Sequence, residues 1–169
     1  ATNAVLENKL SKTALVTNRG FKDLLTIGRQ TRPALYQLEY EPIIPPVPRD
    51  LCFETGGRLG ADGSEFEALS QADVEELVNE VMSQEPESVA INLLFSFINP
   101  EFEIILERAL LKKMPSVRVS RSSTVLPVYK EFERGIATWL NAALEPLISR
   151  YLVSLRDSLG NPKLQIMQS

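Results

Sequence analysis

The segment SVAINLLF, residues 88–95, is a short, continuous apolar run that contains β-branched residues. Such a run is typical of a strand buried on both faces of a parallel sheet. Residues 102–110 follow with apolar side chains at helical spacing, and the alternating VRV at 117–119 predicts a further strand. Strand, helix and strand with short connections make a βαβ unit, so we expect the strands at 89–95 and 117–120 to be parallel.

The segments on either side extend this α/β pattern. TALVT at 13–17 predicts a compact strand, and FKDLLTIG at 21–28 predicts a helix that returns from it. The segment at 50–69 contains two strand-like runs around an Asp-Gly pair, which favours a β-hairpin. Ser70, with Asp73 three residues later, predicts the capped start of an amphipathic helix. The expected fold class is α/β (mixed α+β), with a mixed sheet of four to six strands, a parallel βαβ unit and a β-hairpin.

The C-terminal part predicts a long helix with a proline inside it, at about 128–159. Pro146 would cost about 3 kcal/mol in an unbroken helix, so we expect the helix either to kink near 142–145 or to split into two. Asn141 is placed to satisfy a carbonyl freed there, or to contact a ligand. The face expected to pack is lined by Ile136, Leu140, Leu144, Leu147, Ile148, Tyr151, Leu152 and Leu155.

Prolines suggest how the chain is divided. Four of the eleven prolines lie between Pro42 and Pro48, in a segment typical of extended polyproline II structure. We therefore predict four parts, which are an N-terminal β/α piece at 1–41, a proline-rich linker at 42–49, a middle α/β domain at 50–126, and the long kinked helix with a truncated final strand at 127–169.

The overall composition argues against several classes of function. A net charge of −4 disfavours nucleic acid, because phosphate binding needs a basic surface. No apolar run approaches the roughly 20 residues that cross a bilayer, and no secretory signal is visible. The chain has no histidine, which removes Ser-His-Asp and Cys-His groups and imidazole metal ligands. The single cysteine, Cys52, fits a reducing compartment and is expected to be a buried, inert thiol.

Two pairs of polar residues are candidate binding groups. Arg29 and Arg32 lie close together after a predicted helix, and their guanidinium groups could grip a carboxylate or a phosphate. The alternative is a solvated loop with a structural salt bridge. Ser96 and Asn99 follow the C-terminal end of the buried strand, where open α/β sheets bind ligands. Asn99 is also placed to cap the next helix.

Two further patterns are weaker indicators of a site. Glu131 and Arg134 in KEFER are spaced as a pair on a helix surface. Gly56, Gly57 and Gly60 resemble a phosphate-binding loop only loosely, because no Lys-Ser/Thr follows them and no helix begins there. A flexible hairpin strand is the expected role of these glycines.

Several segments, in this order along nearly the whole chain, resemble the N-terminal region of the hydantoinase A/5-oxoprolinase family, including its N-methylhydantoinase-like members. Their collinear order is the specific feature, since none of them is specific alone. The matching segments are TNAVLE (2–7), TALVT (13–17), IGRQTRP (27–33), ADG (61–63), ESVAINLLFSFINPEFE (87–103), SSTVLP (122–127), EFER (131–134), LNAALEP (140–146) and IMQS (166–169).

The resemblance implies a cytoplasmic ATP-dependent cyclic amidohydrolase that opens a lactam or imide ring, such as that of 5-oxoproline or a hydantoin. It implies ATP with Mg²⁺, phosphorylation of the amide oxygen followed by attack of water, and a hydantoinase B-type subunit or domain as partner. Related enzymes carboxylate ketones. The alternative is a non-catalytic interaction or substrate-gating module of a multi-subunit hydantoinase or ketone carboxylase complex.

The resemblance also implies where the nucleotide binds. The family's phosphate loops, of the actin/sugar-kinase type, lie upstream of Thr2-Asn3 and downstream of the final MQS. We therefore expect an excised piece of a longer protein, with residues 1–41 in its nucleotide-binding lobe. The isolated chain is expected to hold neither cofactor nor metal and to be inactive.

By the same resemblance, the recurring polar residues are expected to face the substrate, although no general base can be assigned. These candidates are Arg29, Arg32, Ser96, Asn99, Glu131, Glu133, Arg134 and Asn141. Phe95 and Phe102 stand where many members have histidine, and Gly135-Ile136 replaces part of a threonine-rich run. If those positions contact substrate, the substrate of this protein differs.

Overall fold

The computed structural model describes residue 7, residues 10–30 and residues 46–159, which form a parallel sheet between helical layers. The strands are β1 (Thr13–Asn18), β2 (Cys52–Thr55), β3 (Arg58–Leu59), β4 (Glu65–Glu67), β5 (Ser88–Ile91) and β6 (Arg118–Arg121). The helices are α1 (Leu24–Ile27), α2 (Gln71–Ser83), α3 (Glu101–Lys113), α4 (Ser122–Val125) and α5 (Glu131–Ser158), and a short 3₁₀ helix spans Arg49–Leu51.

The predicted βαβ unit is confirmed. β5 and β6 pair in parallel, with Val89 opposite Val119, and α3 connects them. The main sheet has the order β2-β1-β5-β6 and all its pairs are parallel. Antiparallel pairing among the described residues is confined to the β3–β4 hairpin, which forms a separate two-stranded sheet at the predicted Asp-Gly turn.

β1 occupies an inner position of the sheet, between β2 and β5, and all six of its residues are buried. Residues on both sides of the proline-rich segment therefore contribute strands to one sheet. The division of the chain into domains stays a prediction, but within the middle part β2 is joined to β5 and β6 only through the N-terminal strand β1.

Side chains alternate between the two faces of the sheet, and each face has its own helical layer. Ala14 and Val16 pack with α2 and α3, whereas Leu15 packs with α5. The first core also includes Leu77, Val81, Val89, Ile91, Leu106 and Leu110. The second includes Leu51, Cys52, Ala90, Trp139, Ala142 and Ala143.

The packed face of α5 differs from the predicted one. Its buried residues are Arg134, Gly135, Thr138, Trp139, Ala142, Ala143 and Pro146, whereas Ile148 and Tyr151 are exposed. The prediction followed the largest apolar side chains. Ile136 and Leu140 of the predicted face do pack against the second core. The buried positions of α5 also include the small residues Gly135, Ala142 and Ala143, which allow the helix backbone to come close to the sheet.

Pro146 lies inside a continuous helix, so of the two expected outcomes the split into two helices does not occur. Asn141 does not satisfy a freed carbonyl, since its Nδ2 donates to the Ser120 hydroxyl at 3.0 Å. Near the proline, the carbonyl of Ala143 accepts hydrogen bonds from the backbone N–H of Ser11 at 3.2 Å and from its hydroxyl at 2.8 Å. These contacts fasten α5 to the segment that precedes β1.

Two local predictions are confirmed by the hydrogen bonds. The Ser70 hydroxyl accepts from the Asp73 N–H at 3.1 Å, and the Asp73 carboxylate accepts from the Ser70 N–H, which completes a capping box. The Cys52 thiol is buried, and burial raises its pKa to about 11, as expected of an inert thiol. Within the part of the chain that the structure describes, no helix has both the length and the apolar character of a membrane span.

Candidate functional site

A buried polar cluster lies at the carboxyl edge of the sheet, beyond the ends of β5 and β6. Asn92 directly follows β5, and Ser122 directly follows β6 as the first residue of α4. The first turns of α5 bring Arg134 over this edge, and α3 brings Glu103 to it. Ligands of open parallel sheets bind at such edges, where loops and helix starts converge.

Arg134 is the centre of this cluster and has no solvent exposure. Its Nε donates to Asn92 Oδ1 and to Ser122 Oγ, both at 3.1 Å. Its two terminal nitrogens donate to the carbonyls of Val128, at 2.6 Å, and of Leu93, at 2.8 Å. The guanidinium also lies 5.5 Å from the centre of the Phe97 ring, within the range of a cation–π contact. One side chain thus binds three separate segments of the chain.

Glu103 is the second fully buried charged residue of the cluster. Its Oε1 accepts from the Leu93 N–H at 3.1 Å and from the Ser122 hydroxyl at 2.6 Å, and its Oε2 accepts from the Ser123 N–H at 2.9 Å. All three partners are donors, which is the pattern of an ionised carboxylate. Charge-assisted hydrogen bonds of this kind stabilise a charge that burial would otherwise make costly.

Ser122 connects the two charges. Its single hydroxyl proton is donated to Glu103, so its oxygen accepts from Arg134. Ser96 Oγ lies 2.9 Å from Ser122 Oγ and must therefore donate to it. Burial lowers the pKa of Arg134, while the negative charges of Glu103 and Glu131 act in the opposite direction. The cluster is a continuous network in which every charged group has partners.

An exposed ion pair lies near the start of α5. Arg29 binds Glu133 through Nε at 3.0 Å and through Nη2 at 2.8 Å, and it lies 5.9 Å from the Phe132 ring centre. The Arg29 side chain is 63% exposed and that of Glu133 is 30% exposed. A hydrogen bond from its own backbone N–H, with a contribution from Arg29, lowers the pKa of Glu133. This pair is open to solvent and could contact a ligand.

The structure brings some of the predicted site residues together and separates others. Ser96 and Arg134 belong to the buried network, Glu131 is half-buried beside it, and Arg29 joins Glu133 at the exposed pair. Asn92 Nδ2 donates to the carbonyl of Glu131 at 3.2 Å, which links the network to the first turn of α5.

The remaining predicted residues lie elsewhere or have another partner. Asn99 accepts from the Glu101 N–H at 3.1 Å and donates to the carbonyl of Gly63 at 3.2 Å, so it serves the start of α3 and the β3–β4 turn. Asn141 contacts β6 rather than the network. Arg32 lies outside the described residues. A substrate role for each of these residues stays a prediction.

The glycine pair after β2 does not fit a nucleotide phosphate. A Cβ placed on Gly56 would lie 2.7 Å from the Asp73 carboxylate, and one on Gly57 would lie 2.6 Å from the Leu69 side chain. Leu69 and the Asp73 carboxylate, which is paired with Arg19, therefore fill the space beside the loop. The glycines instead allow β2 to approach the start of α2.

Sequence reasoning missed Asn92, Glu103 and Ser122. A signal for Glu103 exists, because residues 103, 106 and 110 lie on one face of a helix and the other two are leucines. Likewise Arg134, Thr138 and Ala142 share one face of α5. A charged residue at the buried position of an apolar stripe indicates a paired buried charge.

Comparison of the sequence with known families identifies the chain. The family model described as the hydantoinase/oxoprolinase N-terminal region matches residues 1–114. The chain is 32% identical over 154 residues to caprolactamase subunit alpha of Pseudomonas jessenii, a match that covers 90% of this chain and 22% of that protein. It is 31% identical over 190 residues to 5-oxoprolinase 1 of Arabidopsis thaliana, which covers all of this chain and 15% of that protein.

The fold matches the solved structures of two ATP-dependent enzymes. The crystal structure of the ATP-dependent caprolactamase from Pseudomonas jessenii superposes with a TM-score of 0.81 at 30% identity, over 98% of this chain and 24% of that one. The nucleotide-free structure of acetone carboxylase superposes with a TM-score of 0.78 at 25% identity, over 92% of this chain and 24% of that one. The chain spans less than a quarter of the length of these relatives. The resemblance seen in the sequence is confirmed, and the chain belongs to the hydantoinase/oxoprolinase family, whose N-terminal region it matches.

Proposed function

We propose that this chain is part of a longer cytoplasmic enzyme that opens a cyclic amide with cleavage of ATP. The observation that supports this most directly is the superposition of almost the entire chain on an ATP-dependent caprolactamase. Relatives named 5-oxoprolinase point to the same reaction class, in which a ring C–N bond is hydrolysed. The ring attacked is that of a lactam or an imide.

Within that enzyme, we propose that the carboxyl edge of β5 and β6 forms one wall of the substrate site. The exposed groups available there are Arg29 and Glu133, with the half-buried Glu131 beside them. A guanidinium and carboxylates can bind the polar edge of a cyclic amide or a substrate carboxylate. ATP and Mg²⁺ would be held by other parts of the protein, because the glycine pair after β2 is closed to a phosphate. The isolated chain should therefore be inactive.

The relative named caprolactamase subunit alpha suggests that the enzyme works in a complex. We propose a hydantoinase B-type subunit or domain as the partner. A non-catalytic interaction or substrate-gating role is a second candidate. It is favoured by one observation, namely that Arg134, Ser96 and Glu103 are fully buried and bonded to the protein itself.

The test is ATP hydrolysis by the full-length protein, with and without its partner subunit. Phosphate release from Mg-ATP is measured alone and with 5-oxoproline, hydantoin, caprolactam and acetone. A cyclic amide is expected to raise the rate at least tenfold, with ring-opened product formed in proportion. Arg29→Ala should then raise the KM of that amide at unchanged KM for ATP.

Three other results of this assay would each lead to a different conclusion. Stimulation by acetone with bicarbonate, and by no amide, would show a ketone carboxylase and contradict the proposed substrate class. Hydrolysis that is absent, or that no compound stimulates, even with the partner present, would favour the non-catalytic role. The 169-residue chain by itself is the matched control, and stimulated turnover by it would contradict the assignment of the nucleotide site to other parts of the protein.

A further inference from the structure

We infer that the buried network Glu103–Ser122–Arg134 is a positioning device for the site proposed above. It holds two segments at the carboxyl edge in a fixed relation to the start of α5. These segments, called here the two loops, are residues 92–99 and residues 122–130, the second of which begins with the short helix α4. The part of the inference that concerns the reaction rests on the proposed function. Its structural content, that one serine hydroxyl couples two buried charges and thereby two loops, is independent of that function.

Leu93 shows how firmly the first loop is held. Its backbone N–H donates to Glu103 and its carbonyl accepts from Arg134, so both of its backbone groups are bound by buried charges. The next residues include Phe95, whose backbone is left-handed with φ of 57°. A bulky residue in that region is strained and persists only where the surroundings determine its conformation.

The second loop is held by the same two charges. Glu103 accepts from the N–H of Ser123 and from the hydroxyl of Ser122, and Arg134 donates to the carbonyl of Val128. Each charge therefore contacts both loops. A shift of either loop would break hydrogen bonds to a fully buried ion, which costs more than the loss of a neutral hydrogen bond.

Ser122 links the two buried charges of the network, Glu103 and Arg134. Among the described residues, it is the only one whose side chain hydrogen-bonds to both Glu103 and Arg134, which form no direct ion pair, whereas Leu93 contacts both through its backbone. Removing its hydroxyl would leave both charges buried and would remove the only side-chain link between them, with little change in side-chain volume. Because the side chains of Glu103, Ser122 and Arg134 have no solvent exposure, they act on a substrate through the loops and not by contact.

The test compares two serines in the full-length protein. Ser122→Ala removes the coupling hydroxyl. Ser88→Ala is the matched control, because Ser88 is equally buried and hydrogen-bonded, to Thr13 at 2.8 Å, but lies at the amino edge of the same sheet. The readouts are kcat and KM for amide-stimulated ATP hydrolysis, the melting temperature, and amide hydrogen exchange of residues 92–99 and 122–130.

Ser122→Ala is expected to lower kcat at least tenfold, with both KM values within threefold, and to speed exchange in both loops. Ser88→Ala should keep kcat within twofold and leave exchange in the loops unchanged, even if the two melting temperatures fall equally. Should Ser122→Ala fail to fold, Arg134→Lys replaces it, since it keeps the charge but cannot reproduce the guanidinium contacts.

Equal kinetics for Ser122→Ala and Ser88→Ala in an active enzyme would overturn the inference and leave the proposed function intact. A wild-type protein that no compound stimulates would instead overturn the proposed function. In that case hydrogen exchange alone decides, with faster exchange in both loops of Ser122→Ala supporting the coupling and unchanged exchange overturning it.

Discussion

At the scale of single residues, Gly135 shows why a helix accepts a residue that disfavours helices. A Cβ at this position would lie 2.7 Å from Asn92 Nδ2 and 3.3 Å from Leu25 Cδ2. The missing side chain lets α5 approach β5 closely enough for the Arg134 and Asn92 hydrogen bond to form. Glycine here costs about 1 kcal/mol of helix propensity, which this approach offsets.

Gly135→Ala should therefore destabilise the protein by about 1–3 kcal/mol, because overpacking outweighs the better helix propensity of alanine. Urea unfolding followed by circular dichroism measures the change. In the Asn92→Ala background the obstructing amide is gone, so the same substitution should cost nothing or become stabilising. Equal costs in both backgrounds would show that Asn92 does not impose the glycine.

Charged residues mark the limit of what the sequence predicts at this scale. Arg134 was singled out from the sequence, but as a surface partner of Glu131, whereas it is fully buried among backbone carbonyls. Glu103 was not singled out. Burial of either residue depends on partners far along the chain, such as Ser122 and Asn92, and spacing within one helix does not show these partners.

At the scale of elements, the start of α2 is the best-predicted feature, because a capping box is a local interaction. The Ser70 hydroxyl, with help from Arg19, lowers the pKa of Asp73. A carboxylate with a lowered pKa stabilises the fold above its unfolded pKa of about 3.9, and this contribution is lost as the pH falls through the folded value. The stability of the capped helix should therefore decline in acid.

Asp73→Asn tests this pH dependence. At pH 7 it should cost about 0.3–1 kcal/mol, because the substitution removes a negative charge that the helix N-terminus and Arg19 both favour. The difference from wild type should be constant above about pH 5 and should shrink below about pH 4, as Asp73 of the wild type takes up a proton. Glu76→Gln, an exposed change on the same helix, is the control. A difference that grows in acid would contradict the assignment.

The packed face of α5 was not predictable in the same way. Apolar periodicity selects large residues such as Leu140 and Ile148, and one of these is exposed. The buried face contains Gly135, Ala142 and Ala143, because a helix that crosses a sheet closely needs small side chains at the contact. That requirement arises from the sheet, which is assembled from distant segments, and not from the helix sequence.

At the scale of the whole molecule, one sheet joins two helical layers. Alternate side chains of the strands belong to the two cores, so neither helical layer can separate without exposing a face of the sheet. The sequence predicted the βαβ unit, which is local. It did not predict that β1 would lie between β2 and β5, since those pairings join residues far apart in the chain.

The single tryptophan can be used to test whether the two helical layers unfold together. Trp139 is buried between α5 and the sheet and reports docking of that layer, whereas circular dichroism in the far ultraviolet reports all helices. In urea the two signals should show one transition with the same midpoint. A fluorescence midpoint that falls clearly below the circular dichroism midpoint would show that α5 detaches on its own and would contradict a single cooperative unit.

The inner position of β1 affects how the protein folds during its synthesis on the ribosome. Thr13 pairs with Ser88, 75 residues further along, so at about 5–20 residues per second β1 waits about 4–15 s for β5 to be translated. Its other neighbour, β2, is translated earlier, but until β5 follows, one edge of β1 with its buried residues Ala14, Leu15 and Val16 has no partner strand. Nascent chains of this protein are therefore expected to engage cellular chaperones before residue 91 has left the exit tunnel.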